Sequence, residues 1–287
     1  MVGQLLQLFV GQCGVQVSHA CWELFCAESG LDSSGKPLWA RDQDDLFGVD
    51  SLFTESRSGQ RVPRCVLVDA EPSVVDEIRV GMHRKLFDPA QLISGVEDSA
   101  ANFARGFYHN AKMLLEPTLE RLRHLAEGCE KLQGFVLHHS MGGGTGSGFS
   151  CALLEEIQDQ YSKCSRIQLA ISPSSTLSNS TVEPYNALLS MHAPMELVDC
   201  TVLMDNLSLV RLCTERLLTS KISTTSLNRL IAQITSGLFS TLRFESELSA
   251  SMSALLTNLV PYPAAHFVTG ALTPLRGADV GAYNSEC

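Results

Sequence analysis

Ser140-Met141-Gly142-Gly143-Gly144-Thr145-Gly146-Ser147-Gly148 is the stretch on which the fold of this chain turns. An apolar run at residues 135 to 139 precedes it, and an amphipathic segment at helical spacing follows Gly148. Strand, glycine turn and helix make one βα unit of a parallel sheet. Successive glycines let a backbone approach an anion closely, and the free N–H groups at a helix start hold phosphate. Ser140, Thr145 and Ser147 add hydroxyl donors. A flexible linker has no reason to sit between an apolar strand and an amphipathic helix, so the run reads as a phosphate-binding turn.

The same alternation extends to both sides. Short apolar runs at residues 5 to 10, 65 to 68, 167 to 171 and 201 to 204 read as further strands. Helices are expected from Gly11 to about Glu28, from Pro72, over residues 103 to 127, after Val182 and from Asp205-Asn206. Pro72 suits a first helical turn, where its missing N–H is not needed. Residues 225 to 244, free of glycine except at Gly237, are expected to form a central helix leading to whatever follows. Residues 31 to 61 carry no clear period and read as a long surface loop with minor structure. Pro117 falls inside the 103 to 127 helix, where it costs about 3 kcal/mol, so a kink or strain is expected there. The fold class is α/β, a three-layer parallel sheet flanked by helices.

Composition narrows the function. Charged residues are 18% of 287, and the net charge is -10 with no run of Lys or Arg longer than two. That disfavours nucleic acid or an anionic membrane as partner. No apolar stretch is long enough to span a bilayer, and residues 1 to 10 lack a charged leader and cleavage site, so the cytosol is expected. The ten cysteines include no CxxC pair and mostly sit in apolar segments, the pattern of reduced, buried thiols. Two familiar phosphate loops fail on the letters. In GxGxxG register, Gly142 and Gly144 are followed by Ser147, and the frame from Gly143 breaks at Thr145. No lysine follows the glycines, which excludes the Walker pattern.

The run Gly142-Gly143-Gly144-Thr145-Gly146-Ser147-Gly148 resembles the signature of the tubulin and FtsZ superfamily. Gly11-Gln12-Cys13-Gly14 with Ala20-Cys21-Trp22-Glu23-Leu24 is similar to the first tubulin nucleotide loop and helix. Val68-Asp69-Ala70-Glu71-Pro72, Glu97-Asp98, Val182-Glu183-Pro184-Tyr185-Asn186, Asp205-Asn206, Leu227-Asn228-Arg229-Leu230 and Asn258-Leu259-Val260-Pro261-Tyr262-Pro263 follow in family order. The resemblance spans essentially the whole chain. Ala104-Arg105-Gly106 and Val260-Pro261-Tyr262-Pro263 look like the α rather than the β subunit, while Gln12-Cys13-Gly14 is more β-like at one position.

The resemblance implies a GTP-binding domain over residues 1 to 244, including the central helix, and the start of an intermediate domain from 245 to 287. It places Gln12 and Cys13 by the phosphates and base, and Asp98 facing the γ-phosphate. Asp69 and Glu71 would hold Mg2+ through water. Ser140, Gly142, Gly143, Gly144, Thr145 and Gly146 would cradle the phosphates of GTP or GDP. Ser178 and Glu183 would meet the ribose, and Asn206 and Asn228 the guanine. Taken singly, Asp98 and Asn206 read equally well as helix caps. The implied role is a subunit of the microtubule cytoskeleton in the cytoplasm, with a β-tubulin-like longitudinal partner.

Several positions depart from the family. Ala101 stands where an Asn binds phosphate, Asn179 where Thr is usual, and Thr224 where an aromatic stacks on guanine. Ala254 stands where an α subunit carries the acid that activates water on the next subunit, and Ser251 lies at a nearby acidic position. Residues 37 to 60 lack the family's lumenal lysine. The sequence stops at Cys287, within the loop that makes lateral contacts, which leads to the expectation of poor solubility or a required partner. The alternative is therefore a truncated, non-polymerising or regulatory paralogue. A free GTPase switch would need an internal catalytic acid, and the sequence offers none.

Overall fold

The computed structural model describes residues 3–38, 49–174, 176, 178, 180–217, 222–244 and 251–273. Strand β1 (Gln4–Val10) runs into helix α1 (Gly11–Glu28). A short helix α2 (Val49–Leu52) and the antiparallel pair β2 (Phe53–Glu55) and β3 (Arg61–Pro63) occupy part of the expected loop. Residues 39 to 48 lie outside the described residues. Then come β4 (Cys65–Asp69), α3 (Pro72–Val80) and β5 (Leu92–Ser94). Helix α4 (Ala111–Glu127) continues from a π-helical turn at Arg105–Asn110, and β6 (Leu132–Ser140) follows. Helix α5 (Ser150–Gln160) likewise continues from a π-helical turn at Thr145–Phe149. The remainder is β7 (Ser165–Ser172), α6 (Glu183–His192), β8 (Cys200–Asp205), α7 (Asn206–Glu215), α8 (Thr224–Leu238), α9 (Ser240–Arg243), α10 (Met252–Leu259) and β9 (Phe267–Thr269).

The seven-stranded sheet has the order β5-β4-β1-β6-β7-β8-β9, with every pairing parallel. Every residue of β1 is buried, as expected for a central strand with helices on both faces. Its side chains alternate between two cores. Leu5 and Phe9 pack with Trp22 and Phe25 of α1, Val75 of α3, Leu209 of α7 and Ile231 of α8. Leu6, Leu8 and Val10 pack with Leu114 and Leu122 of α4 and Leu153 of α5. Helices α1, α3, α7 and α8 thus cover one face, and α4 and α5 the other.

Two sequence expectations are corrected. The helix expected over 225 to 244 ends at Leu238, one residue past Gly237. Phe239 leaves helical geometry and buries its ring completely, and α9 restarts beyond it. Pro117 does not interrupt α4, because it lies on the exposed side with Met113, whose carbonyl loses the bond. Water can serve that carbonyl. Strands β5 and β9, three residues each, were not anticipated. Runs that short carry no readable period.

Candidate functional site

Strands β1 and β6 are neighbours, while β4 and β5 extend the sheet to one side and β7 to β9 to the other. Chain order therefore reverses between β1 and β6. In an open parallel sheet, ligands bind outside the carboxyl ends of the strands at such a switch point. A cleft of about 210 Å³ opens there. It is lined by Gln12 and Cys13 at the start of α1, Asp69 and Glu71 after β4, and Asp98 and Ala101 after β5. Ser140, Gly143, Gly144, Thr145 and Gly146 after β6 complete it.

The glycine run is less of a loop than its composition indicates. Met141 to Gly143 form a bend, and helical structure has begun by Gly144. Three glycines answer to packing between helices. A methyl group on Gly144 would lie 2.6 Å from Ser99 Cβ and 2.7 Å from the Asn102 nitrogen, and one on Gly148 2.2 Å from the Phe103 carbonyl oxygen. Across that contact, a methyl on Gly106 would lie 2.2 Å from the Gly144 carbonyl oxygen. The two π-helical turns thus meet backbone to backbone. Gly143 differs, since its nearest neighbour would be Ser140 Oγ at 3.8 Å, and it faces the cleft. Gly11, with φ +73, brings the start of α1 against Gly146.

The hydroxyls divide in the same way. Ser147 is fully buried and donates to the Gly143 and Gly144 carbonyls, so it braces the turn instead of facing a ligand as the sequence led one to expect. Thr145 pairs with Ser99 Oγ at 2.7 Å, which also accepts from Asn110 Nδ2 at 2.7 Å. Ser140 Oγ accepts weakly from the Gly143 amide at 3.4 Å. His139 is buried, which holds its imidazole below its ordinary pKa, and its Nδ1 donates to the Gly146 carbonyl at 2.7 Å.

The carboxylates make the cleft strongly acidic. Asp69 is 3% exposed, and its Oδ2 has no hydrogen-bond partner. Burial pushes its carboxyl up to about 7; the Ala70 and Glu71 amides oppose this, while the charges of Asp98 and Glu71 reinforce it. Asp98 accepts from the amides of Ser99 at 2.7 Å and Ala100 at 3.0 Å, so it caps its own turn while lining the cleft. Ala100 and Ala101 follow with φ of 49 and 51, left-handed values that cost an L-residue about 1–2 kcal/mol each. No three His, Cys, Asp or Glu side chains among the described residues converge closely enough to hold a metal by themselves.

Other expected site residues lie apart from this lining. Gly142 is buried, and a methyl there would lie 3.3 Å from Glu183 Cγ at the start of α6. Ser178 turns back on its own loop, donating to the Ser180 carbonyl at 3.0 Å. Asn206 is the first residue of α7, and the cap is Asp205, which accepts from the amides of Leu207 and Ser208. Asn228 lies half-buried in α8, which packs on α1. Asn179 lies outside the described residues. Asn186 is a residue whose role the sequence did not reveal. Its Nδ2 donates to the carbonyls of Ala101 at 2.7 Å and Gly142 at 2.9 Å, and its Oδ1 accepts from the Phe103 amide. It ties the strained turn to the glycine bend, and its position three residues after Glu183, on one face of α6, was the available signal.

Fold and cleft together define a doubly wound α/β domain with an acidic, glycine-walled site at its switch point. The chain belongs to the Tubulin/FtsZ family, whose GTPase domain it matches over residues 4–214. It is 43% identical to the tubulin alpha-2 chain of Caenorhabditis elegans over 277 residues, covering 96% of this chain and 61% of the relative. Identity is also 43% to the tubulin alpha-2 chain of Schizosaccharomyces pombe over 285 residues and to the tubulin alpha chain of Colletotrichum orbiculare over 286. Each of these matches covers 99% of this chain and 63% of the relative. The chain thus spans less than two thirds of the length of these relatives. No helix among the described residues is long and apolar enough to cross a membrane.

Proposed function

We propose that this chain binds GTP or GDP in the switch-point cleft and serves as an α-like tubulin subunit of the microtubule cytoskeleton. The supporting observation is the meeting of Gln12, Cys13, Asp98 and Gly143 to Gly146 around one cleft, on a domain of the family's GTPase fold. In this reading the phosphates lie along Gly143 to Gly146, Ser178 and Glu183 take the ribose, and Asn206 and Asn228 take the guanine. Asp69 and Glu71 would hold Mg2+ together with the phosphates. The unpartnered Oδ2 of Asp69 fits a cation, and a set of so few carboxylates suits an ion that shares its shell with phosphate and water. That ion would neutralise phosphate charge. Residues 1 to 244 form the nucleotide-binding unit and residues from 245 open the next one. The partner is a β-tubulin-like subunit stacked longitudinally, in the cytoplasm.

A second reading is favoured by one position. Ala254 is exposed on α10, its amide donating to the capping Ser251 Oγ at 3.2 Å, and its methyl cannot orient or deprotonate water. A regulatory, non-polymerising paralogue would keep the nucleotide and lack this activation. Acid extraction of the gently purified protein, followed by ion exchange of the supernatant, tests the shared premise. Guanine nucleotide near one equivalent supports it, and an absence of guanine nucleotide, or the presence of a dinucleotide, overturns it.

A further inference from the structure

His19 and His83 come together outside the nucleotide cleft. His19 is exposed on α1, two turns beyond Gln12, and His83 is 8% exposed in the turn that follows α3. The Nε2 of His19 lies 3.3 Å from the Nδ1 of His83, with ring centroids 4.9 Å apart and planes at 80°. Zinc binds imidazole nitrogen at about 2.0–2.1 Å in a tetrahedral shell, so two such nitrogens stand roughly 3.3–3.4 Å apart. The observed separation matches that edge. We propose that His19 and His83 form a site for a zinc-class divalent ion, ligated by Nε2 of the first and Nδ1 of the second and completed by water.

The surroundings support this. Glu23 lies one turn after His19 on the same face of α1 and acts electrostatically on His83. Its carboxylate pairs with Arg229 at 3.2 Å on the surface. The two ring nitrogens are within hydrogen-bond distance of each other, so an ion would replace that contact. No third His, Cys, Asp or Glu joins the pair among the described residues, so the protein supplies two ligands and the ion keeps open positions. Imidazole suits Zn2+, Cu2+ and Ni2+, whereas the oxygen-lined cleft suits Mg2+. A bound ion would pin α1, which carries Gln12 in its first turn, to the turn after α3, which starts just behind Glu71.

The test is calorimetric titration of the whole purified chain with Zn2+ in excess Mg2+, paired with the visible spectrum of the Co2+ form. One equivalent should bind to the native chain, and His19→Gln should weaken it by more than the roughly 10–100-fold that loss of an outer-shell partner costs. Because His19 is exposed, that variant should keep the native circular dichroism. His124→Gln, on exposed α4 surface, should bind as the native chain does. Undiminished Zn2+ binding in His19→Gln overturns the proposal. So does a thiolate-to-Co2+ absorption band, which would place the ion on a cysteine, and so does the absence of any Zn2+ binding.

Discussion

Adjacent glycines in the bend after β6 should respond to the same substitution in opposite ways. Gly144 has φ -79 and ψ -51, a helical conformation that alanine adopts freely. Only space opposes a side chain there. The added methyl would lie 2.6 Å from Ser99 Cβ, 2.7 Å from the Asn102 nitrogen and 3.0 Å from its oxygen. None of these atoms is the tip of a flexible side chain, so the turns must separate. Overpacking of this kind costs about 1–3 kcal/mol. Against it stands about 0.4–1 kcal/mol from restricting the unfolded chain. Gly144→Ala should therefore lose about 1–2 kcal/mol in urea unfolding. Gly143→Ala has no such overlap and no positive φ, so its stability should hold or rise by about 0.4–1 kcal/mol. Its methyl instead stands in the cleft wall, where the proposed phosphates would lie. Nucleotide affinity, followed by titration with a fluorescent GTP analogue, should fall about tenfold or more, the worth of one hydrogen bond to a charged group. Equal stability losses in the two variants would refute the division between packing glycine and site glycine. Unchanged affinity in Gly143→Ala would remove the phosphates from that wall.

Four further outcomes are expected. His138, stacked on Phe9 at 4.3 Å and paired with Gln7, is pushed down to about 3 by burial, with His139 adding to the effect. It folds neutral, so its contribution is complete above pH 6.5 and falls by about 1.4 kcal/mol per unit as pH drops from 6.5 toward 3; His138→Gln should flatten urea stability over that range, and an unaltered slope would sink the assignment. Arg243, 2% exposed, bonds Glu28 and Ser236 at 2.8 Å and covers the Phe25 ring at 4.5 Å, so Arg243→Ala should cost about 3 kcal/mol, the low end for a broken buried pair because Glu28 keeps some solvent access. A loss below about 1 kcal/mol in chemical denaturation would show that this link between α1 and α9 is slack. Thr224, exposed at the start of α8, should give a gain of about 1–3 kcal/mol in guanine-nucleotide binding on Thr224→Tyr, and an unchanged dissociation constant would place the base elsewhere. Moving residues 245 to 259 into an intact α subunit should slow phosphate release from polymerised partner by about 10²–10⁴-fold relative to the Ala254→Glu version; equal rates would make Ala254 irrelevant.

Layered architecture and the kind of site are legible in the order of amino acids alone. Apolar runs such as β1 and β6 have to be buried on both faces, and only a parallel sheet between helices does that. The glycine run between strand and helix announced a bend that anions can approach, and its order with Asp69, Glu71 and Asp98 announced the family. Tertiary structure decided which residue does what. Gly144, Gly148 and Gly106 are small because two π-helical turns cross there, a contact between segments some forty residues apart that no local pattern records. Asn186 bridges Ala101 to Gly142 across 85 and 44 residues of sequence, a link no local pattern records. Burial and neighbouring charge, which raise Asp69 and leave its Oδ2 unpaired, exist only once β4 and the turn after β5 lie side by side. The pairing of His19 with His83 belongs to the same category, since sixty-four residues separate them in sequence and the packing of α1 on α3 brings their nitrogens together.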